Sequence, residues 1–86
     1  MDTYTLYKFS AGWCMPCKTL SKTLNQVLPE FSNITVVNID IDEETDKATE
    51  YKVRSIPTLI MLKDNEEVGR IVGNCGAIQL KEFLTK

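Results

Sequence analysis

The run Ile34-Thr35-Val36-Val37-Asn38-Ile39 constrains the fold of this chain more than any other stretch. It is β-branched and nearly unbroken in apolarity, which suits a strand covered on both faces, as parallel sheets require. A sheet of that kind needs helices packed against it, and the flanking sequence supplies their pattern.

Upstream, Thr3 to Phe9 is rich in threonine and aromatics and reads as a first strand. Cys17, Leu20, Leu24, Val27, Leu28 and Phe31 then recur at intervals of three or four. Lys18, Lys22 and Asn25 fall mostly on the other side, so the segment is an amphipathic helix ending near Pro29. Downstream of the apolar run, Asp42 or a neighbour is placed to cap a short helix through Glu43, Glu44, Ala48 and Tyr51, with Lys52 and Arg54 at its end.

Pro57 opens Thr58 to Leu62, a second buried strand; Lys63 to Glu66 supplies a turn, and Glu67 to Val72 returns antiparallel. Gly73-Asn74 breaks that strand, and Ala77, Leu80, Phe83 and Leu84 line the inner face of a closing helix. The order is strand-helix-strand-helix-strand-strand-helix. Parallel crossovers with an antiparallel edge give an α/β fold, a four-stranded mixed sheet with helices against it.

At 86 residues the chain is read as a single domain over 1–86, without repeats or linkers. It is 43% hydrophobic and 26% charged with a net charge of −2, and both signs are interspersed, so nothing directs it to nucleic acid or an anionic membrane. Met1-Asp2-Thr3 does not lead into an apolar segment, and no apolar stretch approaches the roughly 20 residues of a membrane span. The expected setting is therefore cytoplasmic, and three cysteines are too few for a disulfide scaffold. The core leaves no spare apolar stripe, which favours a monomer.

Between the first strand and the amphipathic helix lies Gly12-Trp13-Cys14-Met15-Pro16-Cys17-Lys18. A structural zinc site needs four ligands, and this chain has no histidine and only Cys75 besides the pair, so no metal is expected. A staple between Cys14 and Cys17 closes too short a loop to restrict the unfolded chain. A reversible redox pair fits the placement. Cys14 would sit at a helix N-terminus, where unpaired amides and the helix dipole stabilise an anion and lower a thiol pKa from about 8.5. Lys18 adds positive charge nearby. Cys17, one turn inside and on the buried side, is suited to a second step. Pro16 belongs in a first turn, where its missing N–H leaves no bond unmade. Trp13 offers a flat apolar surface beside the nucleophile or covers the core.

With these residues on the page, the sequence resembles the thioredoxin family. The matching features are Trp13-Cys14-Met15-Pro16-Cys17-Lys18, then Ile56-Pro57-Thr58 about forty residues on, Gly73 after the hairpin, and the closing Gln79 to Leu84. Together they cover nearly the whole chain. The resemblance implies the three-layer thioredoxin-like fold, and a cis Ile56–Pro57 bond facing the cysteines. The sequence by itself assigns trans, the majority state. It also implies that the backbone at Ile56 pairs with a bound substrate segment, that Gly73 lets the segment approach, and that Trp13, Ile56, Pro57 and Gly73 surround Cys14 as the contact surface. Cys14 would attack a disulfide in another protein and Cys17 would release it. A flavoprotein of the thioredoxin-reductase type would reset the pair, with no cofactor bound to this chain.

The sequence departs from the family in three places. It lacks the strand and helix that precede the first cysteine-bearing unit in typical members, giving a minimal, glutaredoxin-sized version. Met15 stands where the family has glycine, in the dipeptide on which its reduction potential depends. Lys8, six residues before Cys14, stands where the family carries a buried aspartate. Two readings of Lys8 are open: its ammonium reaches solvent past a stem laid along the sheet, or it points beneath the pair and favours thiolates.

Tyr4, Tyr7 and Tyr51 read as packing residues. The acidic run from Asp40 to Asp46 lacks the glycine and spacing of a calcium loop. Cys75 reads as a packing residue, with a regulatory mixed disulfide as its alternative. Gly73-Asn74-Cys75 loosely resembles the turn with which glutaredoxins hold glutathione, so a glutathione-coupled reductant is the rival function. A non-catalytic adaptor is the third.

Overall fold

In the computed structural model, which describes residues 3–85, the order is β1 (Tyr4–Ser10), α1 (Met15–Val27), β2 (Ile34–Asp40), α2 (Thr45–Glu50), β3 (Thr58–Lys63), β4 (Glu66–Val72) and α3 (Ala77–Leu84). Met1, Asp2 and Lys86, which the 1–86 domain reading includes, lie outside the described residues. The sheet runs β2-β1-β3-β4. β1 and β2 are parallel, with Tyr4 opposite Ile34 and Lys8 opposite Asn38, and α1 is the crossover between them. β1–β3 and β3–β4 are antiparallel. This is the strand and helix order read from the sequence.

Alternation along β1 divides the core into two layers. On one face Leu6 packs with Leu20, Leu24 and Val27 of α1, Leu59 and Met61 of β3, and Leu80, Phe83 and Leu84 of α3. On the other, Phe9, Ile39, Ile60 and Leu62 meet Ala48 and Tyr51 of the α2 region. The sheet thus lies between α1 with α3 and α2. Each large aliphatic side chain buried here contributes roughly 1.5–3 kcal/mol. The tyrosines pack as expected: Tyr7 meets Tyr51 edge-on at 5.4 Å with the Lys47 ammonium 5.3 Å from its ring, and Tyr4 lies against the first layer.

The central strand is β3, in which Thr58 to Leu62 are all buried. The run that defines β2 is different. The expectation of cover on both faces is corrected: β2 is a sheet edge, Val37 is 39% exposed, and only Ile39 is fully enclosed. An apolar run reports β propensity, and the neighbours that decide its burial come from elsewhere in the chain. Two smaller readings also change. Glu44, not Asp42, stands at the start of α2, and makes no side-chain cap. Ala77 opens α3 on its exposed side. The hairpin turn is as read, with Asp64 and Asn65 at φ 53° and 67°, the left-handed pair that suits a two-residue connection.

Candidate active site at the start of the first helix

β1 ends at Ser10, and a tight turn brings the chain into α1: the Cys14 N–H donates to the Ala11 carbonyl at 3.1 Å. Cys14 is the N-cap, with extended backbone, and Pro16 occupies the first turn. The Cys17 N–H donates to Cys14 Sγ at 3.2 Å. Sulfur therefore takes the place that a serine or aspartate oxygen holds at other helix starts, on an amide the helix itself leaves free. Cys14 and Cys17 are joined in a disulfide with Cα atoms 5.3 Å apart.

Both cysteines are enclosed, Cys14 at 4% and Cys17 at 3% exposure, within a small cluster with Ala11, Ile41 and Ile56. The expected contrast between an open first cysteine and a covered second one is not found in this disulfide form. The exposed groups are instead Trp13, at 68%, and Met15, at 67%, which flank Cys14 in the chain. The Trp13 indole N–H donates to Asp42 Oδ2 at 2.9 Å, so the ring is tied to the loop after β2 rather than folded over the core.

The Ile56–Pro57 bond is cis, which corrects the trans assignment made from sequence alone and agrees with the family resemblance. Pro57 is buried and Ile56 half-buried against the cysteine cluster. Gly73 follows β4 at φ 90°, and its N–H donates to the Pro57 carbonyl at 2.8 Å. That bond joins the two loops, so Cys14, Ile56 and Pro57 lie together with Gly73 attached through Pro57.

Lys8 takes neither of the two courses in full. It shares the face of β1 with Leu6, and its Nζ donates to Ser21 Oγ at 2.7 Å, so the ammonium ends on α1 rather than in open solvent. Burial pushes this lysine below its ordinary range. Lys18 is exposed and shares with Cys17 the wall of an open cavity of about 420 Å³, lined also by Ser10, Ser21, Asn38 and Asp40. Cys75 is a half-buried free thiol against the α1–α3 layer, and burial pushes its pKa up.

Sequence reasoning missed Asp42 as the partner of Trp13, and Ser21 as the partner of Lys8. The signal for Asp42 was present. Parallel β1 and β2 bring their carboxyl ends together, which sets the loops after them side by side.

The family model described as Thioredoxin matches residues 1–86. The thioredoxin of Chlamydia pneumoniae is 45% identical over 80 residues, covering 93% of this chain and 74% of the relative. Among solved structures, a mutant thioredoxin from Halobacterium salinarum superposes with a TM-score of 0.86 at 35% identity, over 96% of this chain and 73% of that one. The oxidised form of mitochondrial thioredoxin 3 from Saccharomyces cerevisiae gives 0.88 at 28% identity, over 99% and 79%. Sequence, fold and the bonded cysteine pair agree, and the chain belongs to the thioredoxin family of dithiol–disulfide oxidoreductases.

Proposed function

We propose that Cys14 is the nucleophile and Cys17 the resolving thiol of a general protein-disulfide reductant, working as a monomer in the cytoplasm and reset by a flavoprotein of the thioredoxin-reductase type. The observation that carries this reading is the bond from the Cys17 N–H to Cys14 Sγ at 3.2 Å. An amide already directed at this sulfur, at the positive end of a helix, favours the thiolate over the thiol.

In the reduced protein the Cys14 thiolate attacks one sulfur of a substrate disulfide. A Cys14–substrate bond forms, the substrate S–S bond breaks, and the departing thiolate takes a proton from solvent. Cys17 then loses its proton and attacks Cys14 Sγ. The second substrate sulfur leaves, and the two electrons it carries away are matched by the new Cys14–Cys17 bond. Trp13, Ile56, Pro57 and Gly73 form the contact surface for the substrate segment, and Lys18 and Lys8 add positive charge around the pair. Lys18 acts from the cavity side, where it neighbours Cys17.

Insulin-disulfide reduction tests the reading, driven in parallel by thioredoxin reductase with NADPH and by glutathione with its reductase. Turnover with the first system alone supports it. Turnover with glutathione alone moves the chain to the glutaredoxin type, and turnover with neither leaves the adaptor.

A further inference from the structure

One charged group near the cysteines is left unexplained by the exchange reaction. Lys8 lies in the middle of β1, between Asn38 of β2 and Leu59 of β3, and its side chain is half-buried under α1. A long cationic side chain at an inward position of a sheet loses hydration, and a neutral residue would avoid that loss. Its ammonium is fixed by Ser21 Oγ at 2.7 Å. Ser21 is one helical turn beyond Cys17, and the two line the same cavity with Ser10, Asn38 and Asp40. Side chains four apart on a helix share a face, so Lys8 is anchored on the face of α1 that carries Cys17.

We propose that Lys8, held by Ser21 against the helix face that bears Cys17, is a positioning residue for the second displacement, its charge stabilising the Cys17 thiolate from the sheet side. This deepens the proposed function, since it rests on Cys17 acting as the resolving thiol. The balance of the step is simple. Cys17 gives its proton to solvent through the open cavity, the thiolate attacks Cys14 Sγ, and the substrate sulfur leaves with the bonding pair of the mixed disulfide and is protonated from solvent.

The need for such a charge follows from what else faces Cys17. Asp40 from β2, and Glu43 and Glu44 from the loop after it, line the same cavity, and negative charge there opposes ionisation of a thiol. On α1 the exposed Lys18 is the neighbouring cation, and Cys14 is itself an anion whenever it is a free thiolate. In the mixed disulfide Cys14 is neutral. Lys8 then acts from within the protein, where an ion pair is screened less than at Lys18. Burial already holds this lysine below its ordinary range, which marks it as a cation without a full counter-charge in the disulfide form. A thiolate at Cys17 supplies that counter-charge.

The test follows the Cβ carbon shifts of Cys14, Cys17 and Cys75 against pH in the reduced full chain, for the parent, Lys8→Met, Lys8→Gln and Lys8→Arg. In Lys8→Met and Lys8→Gln the Cys17 transition moves to higher pH, with a fall of roughly three- to tenfold in its thiolate at pH 7. Cys75 does not move, and Lys8→Arg restores the parent curve. Ser21→Ala, which loosens the ammonium without removing it, gives a smaller shift in the same direction. A Cys17 transition unchanged in both neutral variants, or equally displaced in Lys8→Arg, overturns the proposal. The titration needs neither substrate nor reductase. Insulin turnover by the parent with an unchanged Cys17 transition sinks this inference alone, whereas a shifted transition without turnover sinks the proposed function.

Discussion

The indole of Trp13 and the carboxylate of Asp42 are joined at 2.9 Å, and the bond ties the loop after β1 to the loop after β2 beside the disulfide. Trp13 is the only tryptophan in the chain, so its emission reports this contact directly. Asp42→Ala frees the ring. The expected outcome is a changed emission maximum, a loss of stability of no more than about 1 kcal/mol because the pair is exposed, and a fall in insulin turnover of up to about fivefold. Unchanged emission would show that another contact fixes the ring.

Cys14 and Cys75 differ in surroundings in a way that alkylation can read. Cys14 caps a helix and accepts an amide, whereas burial raises the Cys75 thiol above its ordinary range. In the reduced protein at pH 7, iodoacetamide modifies Cys14 first and Cys75 slowly, as peptide mapping after a brief pulse will show. Cys17→Ser accumulates a mixed disulfide at Cys14, and Cys14→Ser abolishes insulin reduction. Equal rates at Cys14 and Cys75 would remove the basis for the nucleophile assignment.

At Gly73, φ is 90° and a Cβ would meet nothing within 4 Å. The cost of Gly73→Ala is therefore one of backbone conformation, about 1–2 kcal/mol. Gly76→Ala is the control, since its φ of −83° suits any residue and its surroundings are equally open. Urea melts are expected to show the first loss and little or none at position 76. Equal effects at both positions would mean that the loop relaxes freely.

Lys8 carries a sign that stability measurements can check. Its folded pKa lies below the ordinary value of 10.5 because of burial. Between the two values the unfolded chain binds more protons, so the native state recovers stability as pH rises through the folded value. Below it, the burial penalty is fully present. The stability of oxidised Lys8→Met relative to the parent accordingly declines as pH rises toward 10.5. Urea melts at neutral and at alkaline pH decide this, and a constant difference would contradict it.

Leu20 is fully buried on the same helix face as Cys17, between β1 and α3. Leu20→Ala costs about 2–5 kcal/mol in thermal or urea unfolding, with the spread set by how far the cavity collapses. A loss below 1 kcal/mol would show that the layer repacks.

What the sequence discloses here is set by where its periodicity is local. The α1 stripe from Cys17 to Val27, the hairpin turn at Asp64-Asn65 and the strand order follow from neighbours within a few residues, and they stand as read. The edge position of β2 depends on which strands β1 and β3 choose as partners, so the Ile34–Ile39 run misleads about burial. The site divides in the same way. The cysteine pair is legible because its spacing places it within one helical turn, and the cis bond at Pro57 is legible only through the family resemblance. Trp13 with Asp42, and Lys8 with Ser21, join residues 29 and 13 positions apart. No local pattern announces such pairs. They need the topology first.

The helix that begins at the disulfide also presents Leu20, Leu24 and Val27 to the interior. Chemistry and scaffold are thus mounted on a single rigid rod, with no flexible joint between them. Evolution cannot retune one end of that rod in isolation: a repacked interior tilts the sulfurs, and any demand for stricter sulfur geometry is felt at once as a demand for tighter packing.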